Sequence, residues 1–204
     1  MPELPEVQTV VNGIKSKLIG LKIKDTEVFV KKLRYPVTIN LKNKINKSSL
    51  LDVSRRAKYI ILRLSNDYSI IIHLGMSGRL HLAALPAPAQ KHDHVDFVFN
   101  NIILRYTDPR RFGCILHTTA SPCEHKLLHK LGPEPLSRAF TAKLLYQTSR
   151  KRKVSIKQFI MNHHIVVGVG NIYACEALFK ARISPKTAAG KISLDRYQLL
   201  IKHI

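Results

Sequence analysis

The first apolar pattern in the chain has the three-to-four-residue spacing of an amphipathic helix and runs from Val7 to Leu18. Pro5 suits the first turn of such a helix, because its missing N–H would have no partner there, and Gly20 is a suitable stop. The pattern predicts an N-terminal helix with the Glu6 carboxylate in its first turn, where the helix dipole favours negative charge.

Short apolar and β-branched segments follow, each with the length of a strand. Asn66-Asp67 and Asn100-Asn101 separate neighbouring segments and favour tight turns, because Asn and Asp tolerate positive φ. Many short strands joined by tight turns predict an antiparallel sandwich or barrel. The predicted strands are residues 23–30, 50–53, 59–64, 69–74, 79–82, 95–99, 102–106 and 114–118, with a loop at 83–90.

After about residue 120 the pattern becomes helical. Residues 121–124 have the composition of a capping box, and Gly132-Pro133-Glu134-Pro135 is a stiff break. We therefore predict an α+β chain, in which residues 1–132 form the N-terminal helix and β-sandwich and residues 133–204 form a helical domain. The predicted helices of that domain are residues 141–148, 155–162, 171–181 and 193–204. The last has no stop signal, so the chain is expected to end inside a helix, as a truncated protein would.

The chain is strongly basic, with 34 Lys and Arg against 13 Asp and Glu and a net charge of +21. This excess predicts a polyanionic partner, most often nucleic acid, with an anionic membrane surface as the alternative. No apolar run is long enough to span a membrane, and a hydrophobic content of 45% is sufficient for a folded core.

The N-terminus combines a proline with two carboxylates. Removal of Met1 would leave Pro2 as a secondary amine, and an α-amino group has a reference pKa of about 7.7–8.0, so a sizeable fraction is unprotonated near neutral pH. With Glu3 and Glu6 nearby, this amine is suited to Schiff-base chemistry on a sugar aldehyde. The alternative, which composition alone favours, is an ordinary proline-rich helix start.

Two loops each carry an apolar side chain that could contact nucleic acid. In the first, glycines on both sides of Met76 allow a tight turn, so this side chain is either a plug for a neighbouring surface or a wedge in a base stack. In the second, Arg110 and Arg111 can hold phosphate or a base edge and Phe112 can stack. The alternative for the second loop is a solvated turn with Phe112 in the core.

Two basic runs, at residues 55–58 and 150–153, would also meet phosphates, although such runs are usually solvated. Residues 168–173 form a glycine-rich turn between two predicted helices and would leave backbone N–H groups free for an anion. This arrangement predicts a helix–two turns–helix unit that clamps a DNA backbone. Asn171, by itself, is predicted to be an ordinary N-cap.

No metal site is predicted. The three cysteines form no CxxC pair, which indicates reduced thiols in a cytoplasmic protein. His92, His94 and Asp96 would face one side of a strand, but no further ligand has suitable spacing, so a metal there is the less favoured interpretation.

These motifs together resemble the formamidopyrimidine-DNA glycosylase family, bifunctional repair enzymes for oxidised purines. The resemblance extends over essentially the whole chain and rests on five motifs in the family's order, at residues 2–6, 55–59, 73–78, 106–113 and 166–173. It implies base-excision repair of 8-oxoguanine and formamidopyrimidines, with β,δ-elimination at abasic sites. The alternatives are a catalytically impaired DNA-binding remnant of that family and a basic RNA-binding protein, which would have no use for an exposed N-terminal proline.

The resemblance implies three catalytic residues. Pro2 matches the nucleophile that attacks the sugar C1′ and forms the Schiff base, Glu3 matches its acid/base partner, and Lys58 matches a phosphate contact at the lesion. The side chains that would fill the gap left by the flipped nucleotide are those of Met76, Arg110 and Phe112. Of these, Arg110 would face the orphaned cytosine. The other implied DNA contacts are His92, Arg111, Lys157, Asn171 and Tyr173.

Members of the resembled family continue into a four-cysteine zinc finger and a loop over the flipped base. These segments are not among the 204 residues, so zinc is expected for the full-length family but no cofactor for this chain, and the grip on DNA is expected to be weakened. The expected partner is double-stranded DNA with oxidised purines or abasic sites, not a membrane. We expect a monomer in the cytoplasm, associated with the nucleoid.

Overall fold

The computed structural model describes residues 1–37 and 40–204. Contacts divide the chain into two compact units, Met1–Leu128 and His129–Ile204, and each has its own hydrophobic core. The division falls shortly before the Gly132-Pro133 break.

The first unit contains helices and two four-stranded antiparallel sheets that share one core. The sheet orders are β1-β6-β7-β5 and β2-β3-β4-β8. The elements are α1 (Leu4–Leu18), β1 (Asp25–Val28), α2 (Leu41–Ile45), β2 (Leu50–Arg56), β3 (Tyr59–Leu64), β4 (Ser69–His73), β5 (Arg79–Ala84), β6 (Asp93–Val98), β7 (Ile102–Thr107) and β8 (Cys114–Thr118), followed by a 3-10 turn (Pro122–Glu124). The predicted α+β sandwich with an N-terminal helix is confirmed.

The start of α1 is fixed by its own side chains. Glu3 is the N-cap and forms a reciprocal capping box with Glu6, whose carboxylate accepts the Glu3 N–H at 2.8 Å. The helix then buries one face, Val7, Val11, Ile14 and Leu18, in the sandwich core. The helix that covers the sandwich therefore also fixes the position of the N-terminal carboxylates.

Several local predictions for the first unit were wrong. The predicted strand at residues 23–30 is shorter, because its register with β6 runs only from Asp25 opposite Val98 to Val28 opposite Val95. The predicted loop at residues 83–90 starts later, since β5 continues to Ala84. Ser121 makes no side-chain cap, so the predicted capping box is a three-residue 3-10 turn. Helix α2 was not predicted.

The second unit is helical, with α3 (Ala142–Ser149), α4 (Ile156–Ile160), α5 (Asn171–Lys180), a 3-10 turn (Ala189–Lys191) and α6 (Leu194–Ile201). The side chains of Thr141, Ser155 and Ser193 cap α3, α4 and α6 by accepting backbone N–H groups. Asn171 was predicted to cap α5, but Gly170 is the N-cap and Asn171 is the first helical residue.

Helix α6 was expected to continue to residue 204 but ends at Ile201. The His203 N–H donates to the Leu200 carbonyl at 3.0 Å, which tightens the last turn instead of continuing the α-helical ladder. Nowhere in the described part of the chain is there a helix with both the length and the apolar character needed to cross a membrane.

Adjacent leucines at the start of β2 test the inward and outward alternation of this sheet. Leu50 is 0% exposed and Leu51 is 48% exposed. We expect Leu50→Ala to lower the free energy of unfolding by about 2–5 kcal/mol, because it leaves a core cavity, and Leu51→Ala to cost about 0.5 kcal/mol. Urea denaturation of the two variants measures the difference, and equal losses would contradict the orientation of this strand.

Candidate active site

The N-terminal residues lie beside the hairpin that joins β2 to β3. The turn of this hairpin contains Ala57, at φ +53, and Lys58. Burial lowers the pKa of the Lys58 ammonium, and the carboxylates of Glu3 and Glu6 oppose that effect by favouring its charged form. Arg55 holds the hairpin to α1 through a 2.8 Å hydrogen bond from its Nε to the Gln8 side chain. The fold thus brings Glu3 and Lys58 together next to the chain terminus.

A cleft of about 560 Å³ lies against Pro2. Glu3, directly after Pro2, is only 2% exposed, so its carboxylate is held inside the protein rather than in solvent. Cationic and imidazole side chains also line the cleft, namely Arg79, Lys91 and His92. Removal of Met1 would add the Pro2 amine to this buried carboxylate and cation-lined cleft, which together suit an anionic substrate with an electrophilic carbon.

The buried carboxylate of Asp108 joins two loops at the edge of this cleft. Its Oδ1 accepts the Ser77 hydroxyl at 2.7 Å and the Arg110 N–H at 3.3 Å. Its Oδ2 accepts the Gly113 N–H at 2.9 Å and the Tyr106 hydroxyl at 3.2 Å. Asp108 is 0% exposed, and its hydrogen bonds with Gly113 and Tyr106 are buried, where a hydrogen bond is electrostatically stronger than in water.

The two loops, at residues 74–79 and 108–113, pack backbone against backbone and have no room for side chains at their contact. A Cβ on Gly75, which has φ +65, would lie 2.5 Å from the Gly113 nitrogen, and one on Gly113 would overlap the Tyr106 hydroxyl. The glycines predicted to permit tight turning of the first loop therefore also permit this close approach.

The loops leave two large apolar side chains exposed: Met76 is 46% exposed and Phe112 is 47% exposed. Phe112 therefore does not lie in the core, which was the alternative interpretation of this loop. The guanidinium of Arg110 lies 4.6 Å from the centre of the Phe112 ring, a cation–π contact. Arg111 has φ +55, and with Arg34 and His73 it lines a second cleft of about 320 Å³ against Met76.

His73 is a neutral imidazole that supports the first loop. Its Nδ1 accepts the Gly75 N–H at 2.9 Å, and its ring lies 4.8 Å from that of Tyr59. Burial lowers the pKa of His73 to about 4, and the charges of Arg34 and Lys58 contribute to this shift. Sequence patterns did not assign a role to His73 or Arg34, because the surroundings of His73, with Tyr59, Lys58 and Arg34 near its ring, come from residues distant along the chain.

Two of the three residues considered as metal ligands contact other groups of the protein instead. The His94 Nε2 is 2.8 Å from the Asp108 carbonyl, the Asp96 carboxylate binds Arg105, and His92 is exposed before β6. Throughout residues 1–37 and 40–204, no group of three or more His, Cys, Asp or Glu side chains could hold a metal ion. The zinc implied by the family resemblance therefore has no ligand set in the described chain.

In the second unit, Lys157 lies on the short helix α4, and Asn171 and Tyr173 lie in the first turn of α5. Asn171 is exposed. The basic run at residues 150–153 is partly structural: Arg150 donates to the Ile192 carbonyl at 2.7 Å and lies 3.9 Å over the Tyr146 ring. Arg150 therefore has a structural role that the basic composition of this run did not predict, and the predicted phosphate contacts of the run stay a prediction.

The depressed pKa of His73 predicts a pH dependence of stability. An unfolded histidine has a pKa of about 6.5, so the unfolded chain binds more protons between pH 6.5 and pH 4, and folding loses up to about 3 kcal/mol as the pH falls through this range. His73→Gln keeps an acceptor for Gly75 but cannot titrate. Denaturant unfolding of both proteins at pH 7 and pH 4.5 should show a smaller loss in the variant, and parallel losses would contradict the prediction.

Comparison with known proteins places this geometry in one family. Models of the formamidopyrimidine-DNA glycosylase N-terminal domain and H2TH domain match residues 1–115 and 131–204. The formamidopyrimidine-DNA glycosylases of Hahella chejuensis and Nitrosococcus oceani are 49% and 50% identical over 205 and 201 residues, which is 100% and 98% of the chain and 75% and 74% of those proteins.

Solved structures agree. The Lactococcus lactis enzyme, non-covalently bound to DNA containing an AP site, matches 98% of this chain and 78% of its own with a TM-score of 0.91 and 34% identity. A mutant of that enzyme with DNA containing Fapy-dG gives a TM-score of 0.92 at 33% identity, over 99% and 75% of the two chains. The predicted helix–two turns–helix domain is confirmed by the H2TH match. The chain belongs to the formamidopyrimidine-DNA glycosylase family.

Proposed function

We propose that this chain removes oxidised purines, 8-oxoguanine and formamidopyrimidines, from double-stranded DNA and cleaves the strand at the resulting abasic site. The observation that carries this proposal is the position of Pro2, at a cation-lined cleft and directly before the buried Glu3 carboxylate. The relatives support it, since proteins of this name share about half of the residues and one such enzyme binds abasic and Fapy-dG DNA.

The reaction begins with the Pro2 nitrogen, which becomes a free secondary amine once Met1 is removed. The nitrogen attacks C1′ of the extruded nucleotide and the bond from C1′ to the damaged base breaks; the proton that the Pro2 nitrogen loses balances the proton that the departing base takes up. Glu3 donates a proton to the ring oxygen O4′ as the C1′–O4′ bond opens, which leaves an iminium between Pro2 and C1′. The attack needs no metal and no redox partner, because the amine supplies the electron pair.

Strand cleavage follows from the iminium. Its positive charge acidifies the C2′ proton, and loss of that proton breaks the C3′–O3′ bond; a second elimination breaks the C5′–O5′ bond. Glu3 can accept and return these protons from its buried position at the start of α1. Lys58, held near Glu3 and Glu6, would bind the phosphate beside the lesion.

The damaged nucleotide must leave the stack before the amine can reach it, which costs a few kcal/mol. Met76, Arg110 and Phe112 offset that cost by filling the vacated space. Their exposure and the cation–π contact between Arg110 and Phe112 support this assignment, since a wedge must project from the surface and be stiff. Arg110 would face the orphaned cytosine.

The remaining contacts of this proposal are with phosphate groups of the DNA. We assign phosphate binding to His92, Arg111, Lys157, Asn171 and Tyr173. A net charge of +21 favours such contacts on any duplex, so they supply affinity while the cleft supplies lesion selectivity. We propose that the protein acts as a monomer on damaged or abasic duplex DNA in the cytoplasm, at the nucleoid.

Borohydride trapping on a duplex with one 8-oxoguanine opposite cytosine tests the nucleophile. Pro2→Glu has a bulky second residue that keeps Met1 in place, so the trapped adduct should fall by on the order of 100-fold or more while duplex binding persists. The matched control is Pro5→Ala, which changes the neighbouring proline but leaves the amine free. An adduct of wild-type yield in Pro2→Glu would contradict the assignment, and an equal loss in Pro5→Ala would attribute the effect to the helix start.

A further inference from the structure

Arg105, on β7, has every face of its guanidinium occupied inside the first unit. Nε and Nη2 donate to the two oxygens of Asp96 at 2.8 and 2.6 Å, and Nη1 lies 3.2 Å from the Asp93 carboxylate. Nη2 also donates to the Ala87 carbonyl at 2.6 Å, and Nη1 to the Pro88 carbonyl at 3.3 Å. Arg105 is 5% exposed, and both aspartates are similarly buried.

Stability alone does not explain this arrangement. Burying charges costs desolvation energy, and apolar residues in place of a buried ion pair often stabilise a protein as well or better. The geometry of Arg105 has a feature that an apolar residue cannot supply: two donors reach the backbone of a loop that has no sheet partner of its own. Its planar fork can bind a carboxylate on one side and two carbonyls on the other, which a lysine cannot do.

That loop, at residues 85–92, joins β5 to β6 and forms one wall of the cleft. Gln90, Lys91 and His92 line the cleft that also contains Pro2. The loop is fixed at its other end as well, because the Gln90 N–H donates to Asp93 at 2.8 Å and the Asp108 N–H donates to the His92 carbonyl at 3.0 Å. Asp93 therefore binds both Arg105 and the cleft wall.

We propose that Arg105 is a positioning residue that holds the loop at residues 85–92 as the wall against which the extruded damaged nucleotide is held. The inference rests on the proposed function and adds to it the part of the protein that selects for a base-bearing nucleotide. An abasic sugar offers no base to this wall, so its reaction with Pro2 depends on the wall only through the proposed phosphate contact of His92, which both substrates share. Replacement of Arg105 should therefore weaken the reaction with the 8-oxoguanine duplex more than the reaction with the abasic-site duplex.

The test uses Arg105→Lys, which keeps a positive charge for Asp96 and Asp93 but cannot bridge to both loop carbonyls. The matched control is Arg63→Lys on β3, since Arg63 is exposed on a neighbouring sheet. Single-turnover excision of 8-oxoguanine is measured as a function of enzyme concentration, beside borohydride trapping on an abasic-site duplex. Circular dichroism and thermal unfolding report whether each variant is folded.

We expect the half-saturating enzyme concentration for 8-oxoguanine excision to rise about tenfold in Arg105→Lys, with the rate at saturation and abasic-site trapping within about threefold of wild type. Arg63→Lys should match wild type on both substrates. Equal loss on both substrates, or no loss on either, in a folded Arg105→Lys protein would overturn the proposal.

Pro88→Gly is the second variant, and it decides the case if Arg105→Lys does not fold. Pro88 is exposed, and glycine loosens the loop without disturbing the buried ion pairs. The same selective loss on 8-oxoguanine is expected, and wild-type behaviour on both substrates would overturn the role of the wall. The proposed function fails separately if the wild-type protein itself forms no trapped adduct with the abasic duplex.

Discussion

The carboxylate of Asp108 is the contact on which both projecting loops depend. It accepts hydrogen bonds from Ser77 in one loop and from Gly113 and Arg110 in the other, and it is fully buried. An exposed Met76 or Phe112 side chain contributes no burial free energy that could order its own loop. Contacts on the buried side of the loop must therefore fix the loop conformation. The two side-chain oxygens of Asp108 supply this support, since each of them accepts two hydrogen bonds.

The same principle recurs at three points in the first unit. Glu3 is buried as the cap of α1, Asp108 is buried between loops, and Arg105 is buried between two aspartates and a loop. In each case a charged group is withdrawn from water to organise backbone that faces the cleft. The packed core of the sandwich keeps these buried groups in position. They in turn hold the backbone that lines the cleft.

Predictions from sequence succeeded where the determining information is local. The strands β3 and β8 were predicted with the observed bounds, because turn-forming residues lie close to their ends. Helix α2 has only five residues, of which two are buried, so it lacks the periodicity that identifies a helix. The last helix was predicted too long because the tight turn at His203 depends on a backbone hydrogen bond that leaves no compositional signal.

In the candidate site, too, sequence patterns identified some residues and missed others. Pro2, Met76 and Phe112 stood out because unusual neighbours surround them in the sequence. The supporting residues did not, because Arg105 and His73 are ordinary strand residues whose roles arise from contacts formed only on folding. The basic run at residues 150–153 is a similar case: four adjacent charges predicted phosphate contacts, and composition gave no signal that Arg150 also connects α3 to the segment before α6.

Asp108→Asn shows whether the Asp108 carboxylate holds Met76, Arg110 and Phe112 in place. The amide places an N–H₂ group where the carboxylate accepted hydrogen bonds, so one loop must lose its support. The readout is the emission of 2-aminopurine next to an abasic analogue, which rises when a wedge unstacks it. The variant should still bind the duplex through its positive charge but give a much smaller rise than wild type. A full rise at equal occupancy would show that the two loops project without the hydrogen bonds of Asp108.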